Sequence, residues 1–389
     1  MYALLIYADH AATTEVSACA LAAAMPFFRE AYGNASSRYA LGRGAHQAVE
    51  RARRETAEAI GAAAGEITFT SGGSEGNNAV LRGAVAKARS LGEASPHIVV
   101  SAIEHASILT TCRAMEHDGV RVTCLPVSRD GRVAPESVRA AVRKETRLVS
   151  VMLANNEVGT VQDIAGVAAA LAGTGVPLHT DAVQAVGHIP VDVCALGVSY
   201  LTASGHKFHA MKGTGFLYQR RGMELPPLIT GGGQENGHRA GTENVAGIVA
   251  LGAALAESME RMAAERERLS HLVGWTAREV CSRIKDVRVN GAGGAHLPGT
   301  LNLGIKGVRG EALVHLLGQK GICTSTASAC SAGRDAPSHV LLAMGQEAKE
   351  AMETLRISYG RQNSGKDARD VVDAIVWAVG KIRMALASA

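Results

Sequence analysis

Polar residues with catalytic potential come directly after several short apolar runs of this sequence. They are Glu104-His105, Asn155-Asn156-Glu157, Asp181 with Gln184, and Ser204-Gly205-His206-Lys207. Singly each group is ordinary, because a His or Asn at a strand end is more often a hydrogen-bonding loop residue than a catalyst. Together they bring an imidazole, an amide, a carboxylate and an amine toward one place. Such a set could support covalent and acid–base chemistry on a bound small molecule.

A glycine-rich run adds a candidate site for an anion. Ser71-Gly72-Gly73-Ser74-Glu75-Gly76 follows the apolar run that ends at Thr70 and precedes a helical pattern. Glycine lets the backbone approach a ligand closely, and a helix N-terminus offers unpaired N–H groups to a phosphate. The run matches neither the P-loop nor the dinucleotide-binding fingerprint, so a nucleotide is not favoured. An ordinary Gly/Ser helix cap explains the same residues equally well.

The elements that must position these residues alternate between strand and helix over about residues 45–260. The strand-like runs are nearly continuously apolar, as expected for strands buried on both faces. We therefore predict an α/β fold with a mostly parallel sheet and helices on both faces, followed by a smaller α+β domain. The predicted large domain is 15–260, and the small domain is 1–14 with 261–389. In such a sheet, ligands bind at the carboxyl ends of the strands, where the polar groups lie.

Composition excludes several classes of protein. The 389 residues are 47% hydrophobic and 20% charged with a net charge of +4, which indicates a folded chain and favours no nucleic-acid or membrane partner. No signal peptide or membrane span is predicted. The seven cysteines are scattered without a metal-binding spacing, which predicts a reducing, cytoplasmic location and no structural metal.

The polar groups together match what pyridoxal 5′-phosphate (PLP) requires of a protein. Lys207 could form a Schiff base, and Asp181 could keep the pyridine nitrogen protonated so that the ring accepts electrons. The predicted phosphate donors are Gly73, Ser74, Ser204 and His206. His105 could stack on the ring, and Gln184 could bond to the ring hydroxyl.

The same motifs identify a family. The sequence resembles the NifS/IscS-like cysteine desulfurases of the class V aminotransferase group, which are fold-type I PLP enzymes. The resemblance covers essentially the whole chain in matching order. Beyond the motifs above it rests on Tyr7-Ala8-Asp9-His10-Ala11-Ala12-Thr13-Thr14, Gly231-Gly232-Gly233-Gln234-Glu235, Arg239-Ala240-Gly241-Thr242-Glu243-Asn244, Ser328-Ala329-Cys330 and Leu355-Arg356-Ile357-Ser358.

The resemblance implies further roles and partners. Asn156 and Arg356 would bind the carboxylate of L-cysteine, and Thr242 would reach the PLP phosphate of a partner subunit in a homodimer. Lys207 would remove the substrate Cα proton, with His105 as a proton shuttle. Cys330 would receive the sulfur as a persulfide for a protein acceptor such as an iron–sulfur scaffold, and could transiently ligate an iron–sulfur cluster.

Three other functions compete with this hypothesis. A related PLP lyase or aminotransferase could act on selenocysteine, cysteine sulfinate or another amino acid without needing Cys330. Ser204-Gly205-His206-Lys207 also has the S-x-x-K form of penicillin-binding serine enzymes, but the partner motifs of that class are missing. The third alternative is an inactive scaffold for a sulfur-relay protein. Nothing supports it, because every proposed catalytic side chain is present in the sequence.

Overall fold

The computed structural model describes residues 5–326 and 336–387. Cys330 lies outside these residues. The strands are β1 (Ile6–Tyr7), β2 (Ile67–Thr70), β3 (His97–Ser101), β4 (Arg121–Leu125), β5 (Thr146–Ser150), β6 (Leu178–Asp181), β7 (Tyr200–Ser204), β8 (Gly215–Gln219), β9 (Val287–Asn290), β10 (Thr300–Ile305), β11 (Ile322–Cys323) and β12 (Thr354–Ser358).

The α-helices range from one turn to 39 residues. They are α1 (Ala18–Ala24), α2 (Pro26–Arg29), α3 (Ala40–Ala59), α4 (Gly73–Ser90), α5 (Ala106–His117), α6 (Pro135–Ala141), α7 (Ile164–Ala170), α8 (Val193–Leu196), α9 (Val245–Arg283), α10 (Gly310–Gln319), α11 (His339–Ala343), α12 (Ala348–Met352) and α13 (Gly365–Ala387). Short 3₁₀ turns cover Ala64–Glu66, Gly205–Lys207 and Gln234–Gly237. None of the helices in the described part of the chain is both long and apolar enough to cross a bilayer.

A seven-stranded sheet forms the centre of the larger body, in the order β2-β8-β7-β6-β5-β3-β4. Strand β8 runs antiparallel to both of its neighbours, and the other pairings are parallel. The prediction of an α/β fold with a mostly parallel sheet is thereby confirmed. Alternation of side chains along a strand sends successive residues to opposite faces. Accordingly Val99 and Leu201 pack into one apolar cluster, while Ile98 and Tyr200 pack into another.

Helices cover both faces of this sheet. Residues of α3, α7 and α9 contribute to the cluster that contains Leu201, and residues of α4 and α5 contribute to the cluster that contains Tyr200. Burial on both faces explains why the strands read as continuous apolar runs in the sequence. The carboxyl ends of β3, β5, β6 and β7 therefore meet at one edge of the sheet and provide a common rim for polar residues.

A smaller body is built around a three-stranded antiparallel sheet in the order β12-β10-β9. Its apolar cluster joins Ala8 near the N-terminus to residues of α9, α10 and α13. Strand β1 pairs in parallel with β11, and Asp9 forms a bridge with Ser358 of β12. The N-terminal segment thus crosses from the smaller body to the rim of the large sheet. The boundaries at residues 14/15 and 260/261 remain a prediction.

Two element boundaries differ from the sequence prediction in ways that affect the site. The helical pattern over 77–91 predicts a helix there, but α4 begins earlier, at Gly73, so Gly73 and Ser74 lie in its first turn. The apolar run 147–153 predicts a strand, and β5 covers only Thr146–Ser150, although the amides of Val151 and Leu153 still donate to the carbonyls of His179 and Asp181. The first shift brings the helix N-terminus, with its unpaired N–H groups, directly to the rim.

Candidate active site

A cavity of about 280 Å³ opens at the carboxyl edge of the large sheet. Its wall contains most of the residues predicted from sequence: Gly73, Ser74, His105, Asn156, Asp181, Gln184, Ser204, His206, Lys207 and Arg356. The structure thus brings residues separated by up to 283 positions in the chain into one site, as the parallel topology requires. Thr242 lines a different cavity, and Cys330 lies outside the described residues.

Lys207 ends the 3₁₀ turn that follows β7. Its Nζ donates hydrogen bonds of 2.7 Å to the carbonyl oxygens of Ala11 and Ala12, in the N-terminal segment. Its own carbonyl accepts a 2.8 Å hydrogen bond from Nε2 of the half-buried His188. The His188 ring therefore fixes the main chain at Lys207, and the Lys207 amine lies in the cavity wall.

Asp181 is the last residue of β6, and only 4% of it is exposed. Its Oδ2 accepts a 2.7 Å hydrogen bond from Asn77 Nδ2, and its Oδ1 accepts one of 3.0 Å from the Val183 amide. The Asn77 amide also donates to Ser107 Oγ at 2.9 Å. Neutral donors orient this buried carboxylate, and a cationic ring N–H would give it the charged partner that a buried carboxylate favours.

The N-terminus of the 18-residue helix α4 lies at one end of the cavity. Gly72 has φ of +146°, a conformation that favours glycine, and it turns the chain from β2 into the helix. A Cβ on Gly73 would approach Val183 Cγ2 to 2.6 Å, so this turn packs tightly against the loop after β6. Unpaired N–H groups and the positive end of the helix dipole favour a phosphate here.

His206 lies at the same end of the cavity and bonds to Thr13 Oγ1 through Nδ1 at 3.1 Å. Burial, together with the positive charges of Lys207 and Lys212, lowers the pKa of His206 to about 4. The ring is therefore neutral near pH 7. It can contribute a hydrogen bond to an anion without adding a charge.

His105 is the N-cap of α5 and faces the cavity. Its Nδ1 accepts a 3.1 Å hydrogen bond from the Ser107 amide, so a neutral ring carries its proton on Nε2. Gln184 Nε2 donates to the Ala11 carbonyl at 3.0 Å, beside Lys207. Both side chains are oriented by backbone contacts.

Arg356 of β12 brings the one guanidinium that the described residues place in the wall of this cavity, and only 2% of the residue is exposed. Its Nη2 contacts Asp9 Oδ1 at 2.7 Å, and its Nη1 donates to the Asn156 carbonyl at 3.0 Å. The buried Nε has no hydrogen-bond partner among residues 5–326 and 336–387. The planar fork is therefore anchored by one side, and it suits recognition of a ligand carboxylate.

Sequence reasoning missed Asn77, Ser107 and Met152 in the cavity wall. Asn77 lies four residues inside α4 and resembles any polar helix residue, so only packing reveals its bond to Asp181. Sequence reasoning also assigned no role to two buried carboxyl groups next to site residues. Burial raises the pKa of Glu104 to about 8 and that of Glu157 to about 7.

Thr242 lies in a second cavity, of about 190 Å³, whose wall also contains Ser71 and Arg239. Arg239 Nε contacts Glu75 Oε1 at 3.0 Å, which ties this loop to the first turn of α4. Within one chain, Thr242 therefore does not reach the cavity that holds Lys207.

The described residues fit PLP by chemistry and by arrangement. One cavity wall contains an amine for the aldehyde, a buried carboxylate for the pyridine nitrogen, and hydroxyl and N–H donors at a helix N-terminus for the phosphate. Within residues 5–326 and 336–387, no group of three or more His, Cys, Asp or Glu side chains could hold a metal ion. The fold and the site together define a PLP enzyme of fold type I.

Comparison with known proteins gives the family. The family model described as aminotransferase class-V matches residues 6–371, and the chain belongs to this family. It is 42% identical over 378 residues to a protein of Dictyoglomus turgidum named cysteine desulfurase IscS, covering 97% of this chain and 95% of that relative.

Solved structures show the same fold over almost the whole chain. A structure described as a NifS-like protein has a TM-score of 0.90 and 33% identity, covering 97% of this chain and 100% of that chain. Another, described as SspA in complex with cysteine, has a TM-score of 0.80 and 33% identity, covering 91% of this chain and 98% of that chain.

Proposed function

We propose that this chain is a PLP-dependent cysteine desulfurase that converts L-cysteine to L-alanine and receives the sulfur on Cys330 as a persulfide. The observation that carries the proposal is the joint placement of Lys207, Asp181, Arg356 and the α4 N-terminus around one cavity. The relative named cysteine desulfurase supports the reaction class at 42% identity.

Bound PLP would supply an electron sink that acidifies the Cα–H bond of the attached substrate. Lys207 would hold its aldehyde carbon, Asp181 its pyridine nitrogen, and Gly73, Ser74, Ser204 and His206 its phosphate. The Gln184 amide would bond to the ring hydroxyl, and His105 would stack on the ring. Each of these residues lines the cavity.

Arg356 and Asn156 would hold the substrate carboxylate and so orient Cα toward Lys207. The Arg356 fork is already fixed by Asp9 and the Asn156 carbonyl, which reduces the cost of ordering it on binding. Lys207 Nζ would then remove the proton from the substrate Cα and later return a proton to the carbon chain. His105 is the proposed proton shuttle for the thiol or the leaving sulfur, and a neutral ring there carries its proton on Nε2.

The sulfur transfer is a nucleophilic displacement at the substrate sulfur. Cys330 gives up its Sγ proton, the thiolate attacks the substrate sulfur, and an S–S bond forms while the Cβ–S bond breaks. The electron pair of the broken bond stays on Cβ, which takes a proton and becomes the methyl group of alanine. The family resemblance supports a protein acceptor for the persulfide, such as an iron–sulfur scaffold or another thiolation partner. A transient iron–sulfur ligand role for Cys330 is part of this proposal.

A homodimer is the proposed assembly, with Thr242 serving the phosphate site of the partner subunit. Support comes from a set of large apolar side chains that are at least half exposed or nearly so: Leu21, Met25, Phe28, Tyr32 and Tyr39. Such exposure within 19 residues marks an interaction surface. The proposed location is a reducing cytoplasm, in keeping with the free thiols of Cys19, Cys112, Cys124, Cys194, Cys281 and Cys323.

The test follows the substrate through one turnover. Purified protein with PLP is mixed with L-cysteine in the absence of reductant, and alanine and the mass of the peptide that carries Cys330 are measured. We expect one alanine and one added sulfur on Cys330 per active site, and no sulfur transfer in the Cys330→Ala variant.

Two results would refute the proposal. One is a protein that binds PLP but forms no alanine from L-cysteine. The other is full, catalytic sulfide release under reductant by the Cys330→Ala variant, which would favour a lyase that does not need this thiol. Parallel assays with selenocysteine and cysteine sulfinate identify that alternative.

A further inference from the structure

Ser338, the N-cap of α11, and His339, its first residue, contact the larger body next to Asn156 and His105. Ser338 is 2% exposed and caps α11, since its Oγ accepts a 3.2 Å hydrogen bond from the Leu341 amide. Ser338 lies eight residues after Cys330 in the chain. Neither Ser338 nor His339 lines the cavity that holds Lys207.

One contact joins Ser338 to Glu157, the residue directly after Asn156. The Ser338 hydroxyl donates a short hydrogen bond to Glu157 Oε2, and both residues are buried. The Glu157 main chain is itself fixed, because its amide donates to Asn155 Oδ1 at 2.8 Å and its carbonyl accepts from Asn302 Nδ2 at 3.1 Å. Removing either partner of this bond would leave a buried polar group unpaired.

A second contact joins His339 to Glu104, the residue directly before His105. His339 Nε2 donates to the Glu104 carbonyl at 3.0 Å. His339 is exposed as a residue, but partial desolvation of its ring and the nearby charges of His105 and Arg113 lower its pKa, so the ring is neutral near pH 7. This contact therefore depends on geometry rather than on charge.

Apolar packing reinforces the two hydrogen bonds. Val340, Leu341 and Met344 form a separate cluster with Ile103, Met152 and Val158. Ile103 directly precedes Glu104, and Val158 directly follows Glu157. The cluster therefore packs against the same two active-site segments as the hydrogen bonds do. The start of α11 is thus fixed to both segments by polar and apolar contacts together.

From this arrangement we propose that Ser338, His339 and Glu157 are positioning residues for the sulfur-accepting step. They hold residues 338 and 339, which follow Cys330 in the chain, against the two segments that contain His105 and Asn156. The inference rests on the proposed desulfurase function and goes beyond it. It predicts that these three side chains affect sulfur transfer to Cys330 and leave coenzyme binding intact.

The experiment compares the holoenzyme with the variants S338A, H339A, E157A and E157Q. The control is S364A, which removes another serine that bonds within the first turn of a helix, α13, away from the cavity. Three quantities are measured: the change in PLP absorbance on adding L-cysteine, the single-turnover rate of persulfide formation on Cys330, and hydrogen–deuterium exchange of the amides of residues 338–343.

We expect S338A and E157A to form the persulfide about tenfold more slowly, as the loss of one buried hydrogen bond implies, and H339A, whose hydrogen bond is only partly buried, to do so about threefold more slowly. The change in PLP absorbance stays within about twofold of wild type, while amide exchange in residues 338–343 rises about tenfold. E157Q, which retains an acceptor for Ser338, recovers most of the rate, and S364A behaves as wild type.

Several outcomes would overturn the inference. Persulfide formation at the wild-type rate in S338A and E157A, despite faster amide exchange, would show that this anchor does not matter to sulfur transfer. Equal loss of the absorbance change and of persulfide would place the residues in coenzyme binding instead. A wild-type protein without any absorbance change on adding L-cysteine would refute the proposed function itself, and the inference with it.

Discussion

Among single residues, Asp181 carries the strongest electrostatic requirement of the proposed site. We predict that Asp181→Asn lowers kcat by about 10- to 100-fold, because a charge-assisted bond to the ring nitrogen becomes a neutral one. Folding should be retained, since an amide oxygen still accepts from Asn77. Steady-state kinetics and thermal melts check the prediction.

The matched control for this substitution is Asp163→Asn. Asp163 also accepts a backbone hydrogen bond, from the Gly166 amide, but it caps α7 and lies outside the cavity wall. Comparable losses of kcat in the two variants would contradict a special role for Asp181.

His179 makes the stability of the protein depend on pH. Its ring is fully buried between Ser150 Oγ and Thr202 Oγ1, and burial lowers its pKa from 6.5 to about 3. The unfolded chain therefore binds the extra proton first as the pH falls. The stabilising contribution is complete above pH 6.5 and is lost progressively below it, by about 2 kcal/mol at pH 5.

We accordingly predict a lower thermal midpoint at pH 5 than at pH 7, with a smaller decrease in His179→Gln. Differential scanning calorimetry at the two pH values measures both decreases. An equal decrease in the variant and the wild type would show that other groups control the acid sensitivity.

Among the elements, the turn over residues 155–159 presents Asn156 to the cavity. Gly159 closes it with φ of +76°, and a Cβ there would overlap the His296 ring. We predict that Gly159→Ala lowers the thermal midpoint and raises KM for L-cysteine, because the turn must shift by an amount that costs about 1–3 kcal/mol.

Gly173→Ala provides the control for backbone conformation. Gly173 has φ of +74° with open space around its Cβ position, so this variant pays only the left-handed penalty of about 1 kcal/mol. The difference between the two variants isolates the steric effect. Equal midpoints and an unchanged KM would mean that the turn does not position Asn156.

The sequence predicted the bounds of several strands and helices, and the residues at the sheet rim, where apolar runs end in polar residues. Strands β3 and β4 coincide with the apolar runs 97–101 and 121–125, helices α5 and α10 coincide with the helical patterns 106–117 and 310–319, and Lys207 and His105 lie at the rim as expected. The antiparallel insertion of β8 was not predicted, because run composition does not encode strand direction. Asn77 and Ser338 were missed because their roles depend on contacts between distant parts of the chain.

At the scale of the whole molecule, the proposed dimer makes a prediction about the surface near α1 and α2. Phe28 is 51% exposed, and we expect Phe28→Asp to weaken a dimer of twice the 40.3 kDa chain mass, since a charge opposes burial of that face. Activity should fall together with the dimer fraction, because Thr242 would serve the partner subunit. Light scattering after gel filtration measures the mass.

Leu91→Asp is the control, because Leu91 is 76% exposed and follows the far end of α4. Its mass and activity should match those of the wild type. A monomeric, fully active Phe28→Asp variant would contradict the role of Thr242 across subunits.

Lys207 is the residue on which the proposed reaction depends most, because it would hold the coenzyme. Borohydride reduction of the PLP-loaded protein, followed by peptide mass spectrometry, tests this role most directly. We predict a single reduced coenzyme adduct, located on Lys207 and lost when L-cysteine is added before the reductant. An adduct on Lys212 or another lysine, or a protein with no adduct at all, would contradict this role.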